Sequence, residues 1–106
     1  MNEFLLNSTG LAVVAFAQNA AFTGVSRSRN SGDVAYHAKW AVASNAVWFV
    51  TQIFLMHGIW KSVETGALWQ IVVYGVVYVA ATALGSCMMM VRMLKTETGK
   101  RKVGAS

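Results

Sequence analysis

Few side chains in this sequence can carry out acid–base, metal or thiol chemistry. Two histidines, His37 and His57, one cysteine, Cys87, and four carboxylates, Glu3, Asp33, Glu64 and Glu97, are the full set of imidazole, thiol and acidic groups. They are scattered along the chain. A metal site needs three or four converging ligands, and His37 and His57 lie twenty residues apart, about 30 Å along a helix. One subunit therefore cannot bring them together, and His57 reads as an interfacial histidine bonded to a neighbour or to water. Cys87 has no disulfide partner and reads as a small apolar filler. Met88, Met89, Met90 and Met93 form a thioether cluster. Without a second soft-ligand cluster, it reads as flexible packing rather than a copper site. No nucleophile–base pair, phosphate loop or cysteine cluster is present, so neither an enzyme nor a cofactor is expected.

The more informative side chains are polar and uncharged. His37, Ser44, Thr51 and Gly58 recur every seven residues, with Asn45 and Gln52 adjacent. Tyr74, Tyr78, Ala81 and Gly85 fall on one face of a helix, flanked by Thr82 and Ser86. Asn7 and Gln18 are separated by about three helical turns, with Ser8 and Asn19 beside them. Amides and hydroxyls in these registers can bond helix to helix. Small residues such as Ala12, Ala41, Ala81 and Gly85 let backbones approach closely.

The segments that position these residues are hydrophobic. Between Gly66 and Arg92 the chain runs for about 25 residues without a charge, and a bilayer core is crossed by about 20 apolar residues. Trp40–Trp60 is a second uncharged stretch, bracketed by indoles about 30 Å apart, the spacing of the two headgroup levels. Phe4–Phe22 is a third, weaker candidate whose polar stripe must meet protein or water if it spans; its alternative is to lie in the interface. Apolar residues make up 56% of the chain and charged residues 12%. Soluble domains average about 25% charged, so this composition fits a membrane protein. The reading is an all-α membrane protein with three transmembrane helices, the first marginal, at about residues 4–22, 34–60 and 66–94. These helices form one domain over residues 1–94, followed by a basic tail at 95–106. Thr23–Lys39 is expected to be a polar connection, with Ser31 or Asp33 capping the second helix near Val34. Lys61–Gly66 is expected to be a short turn.

Basic residues give the orientation. The first connection holds Arg27, Arg29 and Lys39, and the C-terminal region holds Arg92, Lys95, Lys100, Arg101 and Lys102; the Lys61–Gly66 turn holds Lys61 alone. Lys and Arg concentrate on the cytoplasmic side. The first connection and tail are therefore expected inside and the short turn outside, with the N-terminus outside if the first helix spans. The net charge of +5 flanks the apolar stretches, so anionic lipid headgroups, rather than nucleic acid, are the expected partner. Arg27, Arg29, Arg92, Lys95, Lys100, Arg101 and Lys102 are the candidate lipid- or partner-contacting residues. None of the carboxylates falls within a span. Proton-coupled transporters usually carry an ionisable residue there, so the chain departs from small four-helix drug-efflux proteins.

Lipid offers amides and hydroxyls no partner. Asn7, Gln18, Asn19, Ser44, Asn45, Thr51, Gln52, Tyr74, Tyr78, Ala81 and Gly85 are therefore expected at helix interfaces or lining a pore. Three short helices in a monomer provide few facing surfaces for three polar stripes, so a homo-oligomer is expected to shelter the remainder. A membrane-protein partner is the other candidate.

In length, polar first helix, short turn between the second and third helices and basic tail, the arrangement resembles the three-span holins of bacteriophages. The resemblance covers the whole chain as architecture, without a sequence motif, and assigns no functional residue. It implies a protein of the bacterial inner membrane that oligomerises and opens holes. The stretch SRSRNSGDVAYHAKWAVASNAVWF also looks like other small phage membrane proteins.

Overall fold

Helix boundaries in this chain are set by capping groups rather than by where hydrophobicity stops. The computed structural model describes residues 2–96. These form α1 (Asn2–Arg29), α2 (Val34–Thr65) and α3 (Trp69–Thr96), with no strand among the described residues. The polar connection expected over Thr23–Lys39 is thus mostly helical, and only residues 30–33 separate α1 from α2. The helix persists because its polar side chains find partners without unwinding: Thr23 meets Ser86, and Ser28 meets His37. Arg27 and Arg29 add cations to the last turn, at the negative end of the helix dipole. Gly32 then takes a positive φ of 78°, which an L side chain adopts only with strain. Asp33 caps α2, its Oδ1 accepting from the Tyr36 N–H at 3.1 Å.

At the other end α2 runs to Thr65, five residues past the expected stop at Trp60. Ser62 and Thr65 donate to the Gly58 and Lys61 carbonyls, each at 2.9 Å, so these hydroxyls add no unmet demand to the last turns. Gly66 closes the helix in the left-handed conformation (φ 74°), its N–H donating to the Val63 carbonyl. α3 then starts at Trp69.

The helices run up, down and up, and α1 packs along both of its neighbours while α2 and α3 meet only sparingly. The bundle is 53 Å long and 21 by 17 Å across, longer than a hydrocarbon core of about 30 Å. Its two ends differ in charge. Arg27, Arg29, Lys39, Arg92 and Lys95 gather at one end with Asp33 as the one acid among the described residues there, while Glu3, Lys61 and Glu64 occupy the other.

Burial is inverted relative to a protein folded in water. Leu6, Val42, Phe49 and Val76 are 74%, 72%, 64% and 63% exposed, and many other large apolar side chains also face outward. The interior holds Asn7, Gln18, Thr23, Ser28, Ser44, Thr51 and Ser62 beside Leu11, Ala15, Ala21, Tyr36, Tyr74, Ala81 and Met93. Water would favour the reverse placement. All three helices are long and apolar enough to cross a membrane, and this chain has the architecture of an integral membrane protein.

Candidate functional site

The polar interior is the candidate site, and it is built at three levels along α1. At the Glu3 end, the Asn7 side-chain amide donates to the Phe54 carbonyl of α2 at 3.2 Å. That contact is possible because Gly58, one turn further on, has no side chain. A Cβ there would lie 2.6 Å from the Asn7 amide nitrogen and 2.7 Å from the Tyr74 ring. Asn7, Gly58 and Tyr74 thus lock the three helices together. Phe4 stacks against Trp69 and Tyr74 with ring centroids 5.2 and 5.3 Å away. Ser62 Oγ also lies 3.1 Å from the Gln70 side-chain amide, bringing α2 against the start of α3. An open cavity of about 160 Å³ lies among Glu3, Asn7, His57, Lys61, Gln70 and Tyr74. At its mouth Glu3 and His57 approach to 3.3 Å, both largely exposed.

At mid-depth, Gln18 of α1 is 1% exposed and donates to the Tyr78 hydroxyl of α3 at 2.9 Å. Its Oε1 and the Ser8 hydroxyl oxygen are buried without a partner. Thr51 bonds its own Val47 carbonyl at 2.9 Å and lies 3.4 Å from the Val14 carbonyl of α1. Ser44 and Thr82 likewise bond within their own helices, to Ala41 and Tyr78. Gly85 sets the approach of α3 to α1, since a Cβ there would fall on the Phe16 carbonyl oxygen. Ala81, one turn earlier, is buried as well.

At the basic end, the Thr23 and Ser86 hydroxyls are 2.8 Å apart, and Ser28 Oγ lies 3.1 Å from His37 Nδ1. Arg27 donates to the Met90 thioether at 3.2 Å, and Met93 is buried in the bundle. Trp40 covers Gly24, where a Cβ would strike the indole. It therefore packs within the bundle as well as standing at the end of the apolar stretch.

Of the residues singled out in the sequence, Asn7, Gln18, Ser44, Thr51, Tyr74, Ala81 and Gly85 are buried. Asn19, Gln52 and Tyr78 are half-buried, and Asn45 is exposed. Arg27, Arg29, Arg92 and Lys95 share one end of the bundle, whereas Lys100, Arg101 and Lys102 lie outside the described residues. α1 lies between its neighbours, so Asn7 reaches α2 and Gln18 reaches α3, while Ser44, Thr51 and Thr82 bond within their own helices. Thr23, Ser28 and Ser62 belong to the interior but had been assigned to connections. Ser62 is four residues beyond Gly58 and Ser28 is ten beyond Gln18, so extending each helical register would have found them.

Cys87 is exposed on the outside of α3. Among the described residues no three His, Cys, Asp or Glu side chains converge. The arrangement supplies hydrogen bonds between helices inside an apolar shell. Family models, curated proteins and solved structures were compared with this chain, and none matches it.

Proposed function

We propose that this chain is a holin-like protein of the bacterial inner membrane, with its N-terminus outside and its basic C-terminus in the cytoplasm. It accumulates as compact bundles and then permeabilises the membrane by reorganising into homo-oligomers. The observation that carries this reading is that the least apolar helix is the one shared by both neighbours. While α1 is in place, Gln18, Thr51 and Ser44 are hidden from lipid. If α1 swings out, these groups become polar stripes that lipid cannot satisfy. Stripes from several copies can then face one another across water and line a pore, with Asn19 and Gln52 at their margins. The charge asymmetry of the two ends supports the orientation, and Lys100, Arg101 and Lys102 extend the basic end in sequence.

Induction in bacteria carrying a potential-sensitive dye tests this. An abrupt loss of membrane potential after a lag is the expected result, and Gln18→Leu should shift its timing. Indefinite harmless accumulation would remove the reading. A second reading is a non-enzymatic accessory subunit, favoured by Gln52, whose half-buried amide has no hydrogen-bond partner among the described residues. In that case α2 docks on a foreign membrane protein. Purification in mild detergent distinguishes the two, since a holin brings down only itself and an accessory subunit brings a stoichiometric partner.

A further inference from the structure

The outer face of the α1–α2 pair carries a groove that the helix-packing account leaves unused. It holds about 490 Å³ and is lined by Phe22, Val25, Ser26, Arg29, His37, Ala41, Ser44 and Asn45. Its polarity changes along its length. Arg29 and His37 stand at the basic end, Phe22, Val25 and Ala41 form apolar walls, and Asn45 lies at the inner end. Seven residues separate Phe22 from Arg29 and eight separate His37 from Asn45, so the groove runs about 10 to 12 Å into the apolar zone. That is the depth from a lipid's phosphate past its glycerol esters.

Two independent observations call for an occupant. Asn45 is an exposed amide with no hydrogen-bond partner among the described residues, and it sits about five residues, or about 7 Å, beyond Trp40 into the span. Hydrocarbon leaves such a group unsatisfied. Arg29 is an exposed guanidinium with no carboxylate paired to it among the described residues. The nearest acid in sequence, Asp33, lines an adjoining cavity that Arg29 and His37 also border, but it forms no ion pair there among the described residues, and its Oδ1 caps α2. One His37 nitrogen faces Ser28, which leaves the other available to the groove.

We propose that this groove binds one anionic phospholipid molecule. Its phosphate pairs with Arg29 and His37, its ester region bonds the Asn45 amide, and the start of one acyl chain lies along Phe22, Val25 and Ala41. A guanidinium suits phosphate oxygens, which it can engage through two parallel N–H bonds. The proposal does not depend on the holin-like reading, because a bundle of any function would carry this groove.

The test is native mass spectrometry of the full chain in mild detergent, titrated with phosphatidylglycerol or with phosphatidylcholine of identical chains. Phosphatidylglycerol should be retained preferentially. Arg29→Gln should lower its retention about fivefold, the effect of removing one basic side chain close to an anionic lipid. Asn45→Leu should lower it as well. Lys39→Gln removes the same charge from the same end outside the groove, and should change retention less than about twofold if charge acts locally. Helical circular dichroism confirms that each variant is folded. Equal retention of the two lipids would overturn the proposal, as would equal losses for the Arg29 and Lys39 variants. Displacement of the lipid by millimolar glycerol 3-phosphate would replace it with a site for the soluble anion alone. A dimer crosslinking through position 45 in the absence of lipid would show that a second copy covers the groove.

Discussion

Gly85→Ala tests the contact that holds α3 against α1. The added methyl carbon would sit on the Phe16 carbonyl oxygen, 2.9 Å from the carbonyl carbon and 3.1 Å from the Phe16 Cα. Backbone atoms cannot rotate away as a side chain would, so the helices must part by more than about 1 Å to restore ordinary contact near 3.5 Å. Two interhelical hydrogen bonds flank the site, Gln18 to Tyr78 at 2.9 Å and Thr23 with Ser86 at 2.8 Å. Stretched by that amount, both leave the range of useful hydrogen bonds. Interhelical hydrogen bonds in a bilayer average about 0.6 kcal/mol each, and overpacking contributes about 1 to 3 kcal/mol. The expected loss is therefore about 2 kcal/mol or more. Reversible unfolding in mixed micelles, followed by circular dichroism, measures it. Gly75→Ala is the control, because nothing lies within 4 Å of a Cβ at that position, and it should leave stability unchanged or slightly raised. A Gly85→Ala protein within about 0.5 kcal/mol of the parent, a shift within reach of ordinary surface substitutions, would refute the reasoning, as would equal losses at both glycines.

Three further outcomes follow from the same structure. A double-mutant cycle with Gln18→Leu and Tyr78→Phe should give a coupling of about 0.6 kcal/mol and no more than about 1.7; zero coupling would show that the two side chains do not bond in the membrane. Glu3→Gln should leave the unfolding midpoint unchanged, because Glu3 and His57 are 66% and 49% exposed and exposed pairs contribute little. Cys87 faces outward from the apolar part of α3, so in intact membranes a lipophilic maleimide should label it and a charged one should not, from either side.

The register of the interior was legible in the sequence, whereas the pairing of its members was not. Ser44, Thr51 and Gly58 repeat at seven residues, the period that keeps one side of a helix against a neighbour, and all three are buried. Asn7 and Gln18 emerge from α1 in the same way. The start of α2 at Val34 and its Asp33 cap were legible; the ends of α1 and α2 were misplaced because charge and polarity mark where the bilayer ends, whereas α2 continues until the left-handed Gly66. Which hydroxyls bond within their own helix was not legible from register alone. Ser44, Thr51, Ser62 and Thr82 each donate to a carbonyl of their own helix, which removes much of the need for an external partner. The central place of α1 was implicit in its composition, since the helix with the most amides has the most surface to hide from lipid. Trp40 shows the opposite limit: its span-end position was plain, but its packing on Gly24 requires knowing that α1 continues past Phe22.

The central claim is that apolar side chains face hydrocarbon while polar ones fill the interior. Spin labels placed singly at Val13, Phe49, Val76, Ala15, Thr51 and Ala81, in a Cys87→Ala background reconstituted in lipid, test it most directly. Labels at Val13, Phe49 and Val76 should collide freely with oxygen and rarely with a polar nickel complex. Labels at Ala15, Thr51 and Ala81 should be immobilised and inaccessible to both. Strong nickel collisions at Phe49 or Val76, or oxygen exposure at Ala15 and Thr51 equal to that at Val13, would contradict the account.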